Sequence, residues 1–203
     1  MTKPEDKEHA PTKKELPLTI VFVRHAQAGG EKVNDELGPL LTKLGEQQAA
    51  LVAERLSTEH FTHAYTSDFS RAFDTAKAIL KFHPATPYTV NVDVREVHHF
   101  HFVKNAPKQK DEMKKVVEHE WKAVQNFAAH VRKTHSMGEV VLVVTHGNFI
   151  RSVLPVLGNR NPKESILLDF GNSSVSVLDV WPSGEAVLRL GNCMKHLPSK
   201  MIT

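Results

Sequence analysis

Arginine and histidine side chains that could bind and attack a phosphate group follow two apolar runs in this 203-residue chain. Arg24 and His25 follow the first run, and His146 follows the second. A guanidinium is a planar fork of N–H donors that suits phosphate oxygens, and a neutral imidazole can attack a phosphorus atom. Taken alone, the Arg24-His25 dipeptide is more typical of two surface residues after a strand. The second run with its own histidine favours a phosphoryl-transfer site.

The apolar runs predict the strands that must position these residues. Residues 20–23 and 140–144 are continuous apolar stretches, which are typical of buried parallel strands. Ligands bind at the carboxyl ends of the strands in open α/β sheets. If the two strands are neighbours in one sheet, His25 and His146 face each other at that end.

A third segment supplies another arginine. Residues 63–66 predict a short strand that turns through Ser67 and Asp68 into a helix over about 69–82. Arg71 then lies in or near the first helical turn, where free backbone N–H groups and the helix dipole already favour an anion. We therefore expect Arg71 to clamp a phosphate group. The alternative is a solvent-facing arginine in a capped helix.

These segments resemble the signatures of the histidine phosphatase superfamily, in its phosphoglycerate-mutase-like branch. The similarity runs in order from about Leu18 to the last residues of the chain. One departure is Ala26, because the family usually has glycine after the Arg-His pair. The similar motifs are Arg24-His25-Ala26, a Leu-Thr-x-x-Gly-x-x-Gln-Ala segment at residues 41–49, Ser67-Asp68 with Arg71-Ala72 and Thr75-Ala76, and His146-Gly147.

The resemblance implies a metal-independent phosphatase that works through a phosphohistidine and needs no cofactor. His25 would attack the phosphorus in line. Arg24, Arg71 and His146 would bind the equatorial oxygens and balance their charge. Glu96 would protonate the leaving oxygen and then deprotonate the attacking water.

The assignment of Glu96 depends on its place just after residues 90–94, where alternating valines predict a strand near a sheet edge. The branch carries its acid/base glutamate at about this place. A single carboxylate at a strand end is also typical of a surface group. Asp93 and Glu31 are the competing candidates.

Three histidines close to Glu96 could in principle ligate zinc or copper. These are His98, His99 and His101. They have no cysteine nearby and lack the spacing of a matched helical pair, so we expect no metal site. The rings more typically line a substrate mouth or titrate at the surface.

The tail, residues 172–203, resembles the mitochondrial phosphoglycerate-mutase-like serine/threonine protein phosphatases. This resemblance implies phosphoserine or phosphothreonine in proteins as the substrate. Small phosphate esters and phosphohistidine stay open. A phosphoglycerate mutase is a further alternative, although the glycolytic mutases are larger and carry insertions around the acid. A catalytically silent phospho-ligand-binding module is another, but such members usually lack a motif residue.

The order of elements predicts a three-layer α/β fold with a mainly parallel sheet flanked by helices and a C-terminal hairpin over 174–190. Thr42 should cap a helix that reaches about Ser57, and residues 111–134 predict a long helix. Residues 28–39 predict a glycine- and charge-containing loop. We expect a disordered segment over 1–15 and a single domain over 16–203.

Composition and charge exclude few function classes, but they make nucleic-acid binding and a membrane span less expected. The net charge is +3, with no basic run interleaved with aromatic residues, so nucleic acid is not an expected partner. No apolar run approaches the ~20 residues of a membrane span. The mitochondrial relatives carry an N-terminal membrane segment, so this chain is either a soluble relative or lacks a segment that was removed.

The cysteine count bears on the compartment. Cys193 is the single cysteine and cannot form an intrachain disulfide, which favours the cytoplasm or another reducing compartment. A mitochondrial association follows only from the resemblance. A homodimer is compatible with the branch, but nothing in the sequence requires one.

Overall fold

The computed structural model describes residues 16–34, 37–98, 110–160 and 168–203. Strands and helices alternate along most of the chain, as the sequence predicts. The elements are β1 (Leu18–Arg24), β2 (Ala28–Asn34), β3 (Gly38–Leu41), α1 (Lys43–Leu56), β4 (His63–Thr66), α2 (Ser70–Leu80), β5 (Tyr88–Val90), α3 (Asp111–Thr134), β6 (Val140–Thr145), α4 (Gly147–Leu157), β7 (Val175–Val180) and β8 (Ala186–Cys193), with 3₁₀ turns at Val92–Val94 and Ser199–Met201.

The main sheet has six strands in the order β5-β4-β6-β1-β7-β8. The first four run parallel, and β7 and β8 are antiparallel additions at one side. In the register of β1 with β6, Arg24 lies opposite Thr145. The two strands therefore deliver His25 and His146 at the same edge of the sheet, as the sequence predicts.

The alternation of side chains along β1 divides the core into two layers. Ile20 and Phe22 pack in the apolar cluster that includes Phe127 of α3 and Phe149 of α4. Val21 and Val23 pack on the opposite face, with residues of α1 and α2. Successive strand residues point to opposite faces, so a fully apolar strand requires helices on both. The three-layer α/β fold is thus confirmed.

The predicted strand over 90–94 is wrong beyond its first residue. The edge strand β5 ends at Val90, and a 3₁₀ turn follows over Val92–Val94. The Oδ1 of Asn91 accepts a hydrogen bond from the backbone N–H of Asp93 at 2.8 Å, which stabilises the turn instead of an extended chain. Val94 is fully buried within the core, so the apolar spacing arises from one buried valine and not from a pleat.

The predicted loop over 28–39 is also wrong. β2 and β3 pair as an antiparallel ribbon that is separate from the main sheet. Its glycines and charged residues lack the apolar alternation of a half-buried strand, so no strand pattern is visible in this part of the sequence. Gly38 in β3 has a φ of +77°, a backbone conformation that glycine adopts at little cost.

Several other predictions are confirmed. Thr42 caps α1 by accepting a hydrogen bond from the N–H of Gly45, and β7 and β8 form the C-terminal hairpin. The long helix α3 has the predicted bounds. Among the described residues, no helix is long and apolar enough to span a membrane. Residues 1–15, predicted to be disordered, lie outside the described part of the chain.

Candidate active site

His25 lies directly after β1 and is fixed by its own backbone. Its N–H donates to the carbonyl of Thr145 at 2.8 Å, which joins the ends of β1 and β6. Its carbonyl accepts from the N–H of Ser173 at 3.2 Å and from the Nδ2 of Asn172 at 3.1 Å. Three bonds to two other segments therefore hold the residue, which is only 6% exposed.

Two contacts of the His25 ring specify where its proton lies. Nδ1 is 2.8 Å from the carbonyl oxygen of Ala26, which can only accept, so Nδ1 carries the hydrogen. Nε2 accepts the Nε–H of Arg71 at 3.1 Å and therefore presents a lone pair. Burial, together with the charges of Arg71 and Arg24, lowers the pKa of His25 to about 3, and the bond to Ala26 opposes this shift only in part. The ring is a neutral base at physiological pH.

Ala26 stands where glycine is usual in the family, and the backbone accepts it without strain. Ala26 is fully buried and is not among the residues with a positive φ. Its N–H donates to the Oγ1 of Thr75 at 3.0 Å, and that hydroxyl in turn donates to the carbonyl of Arg71 at 2.7 Å. Thr75 thus connects the segment after His25 to the first turns of α2.

Arg71 is the second residue of α2, as the sequence predicts. Its guanidinium carbon lies 4.9 Å from the centre of the Phe69 ring, in a cation–π arrangement. A Cβ on Gly38 would come within 2.8 Å of its Nη1, so the β2–β3 ribbon forms a close wall beside the guanidinium. Burial lowers the pKa of Arg71, while Glu96 raises it; the group remains a cation.

Arg24 is the last residue of β1 and directly precedes His25 in the chain. Its Nη1 donates to the carbonyl of Phe170. Its Nε is buried and has no hydrogen-bond partner among the described residues. A Cβ on Gly147 would be only 3.4 Å from that Nε, so this glycine packs against the guanidinium. Burial lowers the pKa of Arg24, and the nearby charge of Glu96 opposes the shift.

His146 follows β6 and is the N-cap residue of α4. The centres of its ring and the His25 ring are 5.1 Å apart in an edge-to-face arrangement, which confirms that the two histidines face each other. Its Nε2 is 3.0 Å from the Oγ of Ser67. Burial lowers the pKa of His146 well below its ordinary value, and His25, Arg71 and Arg24 add to this effect. This ring is also neutral.

Glu96 lies close to the two arginines. Its Oε1 accepts from the N–H of Asn148 at 3.1 Å, in the first turn of α4, and from the N–H of Val97 at 3.3 Å. Burial raises the pKa of Glu96, although both backbone bonds and the charges of Arg24 and Arg71 oppose the shift. A buried carboxyl that keeps its proton to higher pH is suited to general acid chemistry.

Of the competing carboxylates, Asp93 is in the 3₁₀ turn and lines the same groove as Glu96, and the side chain of Glu31 falls outside the described part. His98 is exposed and bonds through Nδ1 to Glu120 at 2.9 Å. Within the described ranges, no cluster of His, Cys, Asp and Glu could hold a metal ion. His99 and His101 lie outside those ranges.

A groove of about 500 Å³ opens beside the arginine and histidine cluster. Glu96 and Phe69 line it, and Phe69 also contacts the ring of His146 with 5.4 Å between ring centres. Lys115 of α3 adds a cation to the lining. The remaining wall is mixed. Its apolar residues are Val92, Val97, Val116 and Ala123, with Val92 58% exposed, and its polar or charged residues are Asp93, Arg95, His119 and Glu120.

Sequence reasoning missed several residues that build the site. Asn172 holds the His25 carbonyl, and Gly38 adjoins Arg71. Asp68 pairs with Arg95, whose Nε donates to it at 2.8 Å and whose guanidinium lies 5.1 Å from the Phe69 ring centre. Asn172 and Asp68 stand in segments that carry the resemblance, which was a signal for them. Nothing in the sequence pattern indicated Gly38.

Residues 20–193 match the sequence profile of the histidine phosphatase superfamily (branch 1). Since this match covers most of the chain, the protein belongs to that superfamily, and the prediction of a phosphatase of this class is confirmed. Phosphoglycerate mutase-like protein 4 of Arabidopsis thaliana is 28% identical over 204 residues, which cover 88% of this chain and 86% of that protein.

Solved structures show the same fold at low sequence identity. A mycobacterial glucosyl-3-phosphoglycerate phosphatase is 19% identical with a TM-score of 0.66, over 87% of this chain and 99% of that one. The phosphoserine phosphatase of Entamoeba histolytica, solved with 3-phosphoglyceric acid, is 20% identical with a TM-score of 0.67, over 89% of this chain and 100% of that one.

Proposed function

We propose that the protein hydrolyses phosphate monoesters through a phosphohistidine on His25. The Nε2 lone pair attacks phosphorus, and the bond from phosphorus to the leaving oxygen breaks. Glu96 donates its proton to that oxygen, so the alcohol leaves neutral. Arg24, Arg71 and His146 donate to the three equatorial oxygens, where the transition-state charge is spread.

The second half of the reaction reverses the proton transfer. Glu96, now a carboxylate, takes a proton from a water molecule that attacks the phosphorus, and the bond to Nε2 of His25 breaks. Inorganic phosphate leaves, and both residues return to their first state. The guanidiniums of Arg24 and Arg71 supply the positive charge at each step, so neither step requires a metal ion.

One observation carries this proposal. Because Nδ1 of His25 donates its hydrogen to the Ala26 carbonyl, Nε2 carries the lone pair. That lone pair accepts the Nε–H of Arg71. A histidine held for a structural role would ordinarily satisfy both nitrogens with backbone or side-chain partners that need no exchange. Among the described residues, the partner of this nitrogen is a cation that is itself suited to phosphate.

The groove beside Glu96 supports a leaving group with an apolar body. A general acid must reach the departing oxygen, so the group attached to that oxygen extends toward Glu96 and into the groove that Glu96 lines. Val92, Val116 and Phe69 would pack against its carbon atoms.

For the substrate class we propose phosphoserine or phosphothreonine in proteins, supported by the resemblance of the tail and by the apolar side chains that line part of the groove. A small-metabolite phosphatase is the second candidate, because the relatives of known structure are named for glucosyl-3-phosphoglycerate and phosphoserine. Phosphoglycerate mutase activity is suggested by the name of the Arabidopsis relative and by bacterial relatives named probable phosphoglycerate mutases, one of which is 37% identical over 32% of this chain.

Release of inorganic phosphate from a panel of substrates tests the proposal. The panel should hold an aryl phosphate, 3-phosphoglycerate, free phosphoserine and matched phosphopeptides with an apolar or a polar residue beside the phosphoserine, all with EDTA present. We expect turnover that His25→Ala abolishes and a preference for the apolar phosphopeptide. Turnover that survives in His25→Ala would refute the mechanism, and a preference for 3-phosphoglycerate or free phosphoserine would refute the protein substrate.

A further inference from the structure

His146 is held through one ring nitrogen only. Its side chain is fully buried, and its Nε2 lies 3.0 Å from the Oγ of Ser67, which is fully buried as well. The other nitrogen, Nδ1, is buried and has no hydrogen-bond partner among the described residues. A neutral imidazole has one donor and one acceptor, so the role of Ser67 determines which of them Nδ1 provides.

The other bond of Ser67 indicates which way its hydroxyl proton points. Its Oγ accepts the backbone N–H of Phe69 at 3.2 Å, in the turn before α2. The hydroxyl then has its own proton to donate, and His146 Nε2 is its bonding partner among the described residues. If Ser67 donates, Nε2 is an acceptor and Nδ1 carries the hydrogen.

The opposite tautomer leaves more groups unsatisfied. If Nε2 carried the hydrogen, the Ser67 proton would lack an acceptor and Nδ1 would present a buried lone pair without a donor. With Nδ1–H, only one N–H lacks a partner. Buried polar groups without partners cost about 1–3 kcal/mol each, so the count favours Nδ1–H.

A second unpartnered donor lies beside the residue that follows His146. The Nε of Arg24 is buried without a partner among the described residues, and it adjoins Gly147, the residue after His146. Two N–H groups that lack acceptors at one place in the described structure indicate a site for an anionic oxygen. A lone pair at His146 Nδ1 would repel that oxygen.

We propose that Ser67 is a positioning residue that donates to His146 Nε2 and thereby turns the Nδ1–H of His146 toward a phosphoryl oxygen. The inference rests on the proposed phosphatase function, since it assigns the donor that one equatorial oxygen meets. Ser67 itself does not touch the substrate. Ser67 lies in the turn between the end of β4 and the start of α2, and its bond to His146 connects this turn to the residue after β6.

The tautomer can be measured directly in the wild-type enzyme. Nitrogen-15 NMR of the histidine side chains distinguishes Nδ1–H from Nε2–H, and His146→Gln identifies the signal. We expect His146 as the Nδ1–H form at pH 7, with a shift of that resonance when inorganic phosphate is added. An Nε2–H form would overturn the proposal, whether or not the protein proves to be a phosphatase.

Variants of Ser67 test the consequence for catalysis. Ser67→Ala should lower kcat/KM on an aryl phosphate by roughly 10²-fold, mainly through kcat, because an oxyanion donor is lost in the transition state. It should also move His146 toward the Nε2–H form. Ser67→Thr keeps the hydroxyl and should recover most of the rate.

Ser176→Ala is the matched control. Ser176 is also a buried serine, and its Oγ accepts one backbone N–H, that of Asn192 at 3.0 Å. We expect this variant to keep the wild-type rate and the His146 tautomer.

A folded Ser67→Ala enzyme with wild-type kcat/KM would overturn the proposal. If Ser67→Ala fails to fold, the tautomer of His146 in the wild-type enzyme still tests the proposal. A wild type without any phosphatase activity would refute the proposed function, and the tautomer and the phosphate shift would then judge this inference separately.

Discussion

The Nε–H of Arg71 donates a hydrogen bond to the Nε2 of His25 across 3.1 Å. The guanidinium therefore lies in front of the lone pair that would attack phosphorus. In the proposed mechanism a substrate phosphate takes that place at Nε2, and the same guanidinium then moves to the equatorial oxygens. Burial lowers the pKa of His25 most, and the cation adds to this effect because a protonated Nε2 would face a positive charge.

Replacement of Arg71 by lysine tests whether the planar fork matters. Arg71→Lys keeps the charge, but an ammonium is a point donor and cannot hold two phosphate oxygens in a fixed geometry. We expect kcat/KM to fall on the order of 10²-fold or more, as for the loss of a preorganised oxyanion donor. Steady-state kinetics on an aryl phosphate provide the measurement.

A remote arginine supplies the control for that exchange. Arg132 of α3 donates to the carbonyl of Leu157, away from the site, so Arg132→Lys should leave kcat/KM unchanged. An Arg71→Lys enzyme with near-wild-type rates would contradict a phosphate-binding role for Arg71 and favour the alternative of a solvent-facing helix residue.

Gly38→Ala should lower kcat/KM, because Gly38 packs against the guanidinium of Arg71. The new Cβ would lie 2.8 Å from Nη1 of Arg71, so the guanidinium has to shift. We expect a loss of about 10- to 100-fold in kcat/KM, since small misplacements of a catalytic group are costly. The change also strains the backbone, because the φ of Gly38 is +77°.

Gly184→Ala separates strain from catalysis. Gly184 has a φ of +86° and its new Cβ would also meet a side-chain nitrogen, that of Asn159, at 2.6 Å. It lies in the turn between β7 and β8, so we expect a loss of stability with kcat/KM intact. Equal losses of activity in both variants would mean that Gly38 acts only through folding.

Burial of neutral His25 should make the fold acid-sensitive. The pKa of His25 is lowered to about 3, whereas the unfolded residue titrates near 6.5. Between these values the unfolded state binds more protons, so the free energy of unfolding falls as the pH drops below about 6.5. At pH 5 this amounts to about 2 kcal/mol.

Urea denaturation of wild type and His25→Gln at pH 7.5 and pH 5 measures this effect. We expect wild type to lose about 2 kcal/mol more than His25→Gln between the two pH values. His146 remains in both proteins, so its own contribution largely cancels in the comparison. Parallel losses in the two proteins would show that His25 is not held as a neutral base.

Glu96→Gln should separate substrates by leaving group. The amide keeps the shape and one acceptor but cannot give up a proton, and a serine alkoxide is a far poorer leaving group than a nitrophenolate. Burst-phase hydrolysis of a phosphopeptide should therefore fall by roughly 10²–10⁴-fold, while the burst on an aryl phosphate falls much less.

The burst phase is needed because Glu96 would also serve as the base in the second step. Equal losses on both substrates in the burst would assign Glu96 to binding or folding. No loss on either substrate would direct attention to Asp93, which lines the same groove, and to Glu31.

The sequence predicted the parts of the molecule that depend on local pattern. Continuous apolar runs require burial on both faces, so the amino-acid order alone was enough to place β1 and β6 and the histidines that follow them. The cap of α1 at Thr42 is equally local. Such features depend on a few neighbouring residues, whose preferences tertiary contacts did not override.

The errors arose where distant residues decide the conformation. The valine at position 94 is buried by α3 and not by a pleat, so the period-two pattern was misleading. The β2–β3 ribbon is stabilised by its own pairing and lies beside α2, and no pattern within 28–39 reveals that contact. Ser67, Asn172 and Gly38 act on the site only through bonds or packing across more than 25 residues of chain.

Identification of a phosphoenzyme tests the central claim most directly. Wild type mixed with a rapidly cleaved phosphate ester and quenched in milliseconds should carry one phosphoryl group on His25, stable in base and labile in acid, located by mass spectrometry. Ser67→Thr should carry the same label, and His25→Ala none. A label on any other side chain, or a burst of alcohol without a labelled His25, would contradict the account.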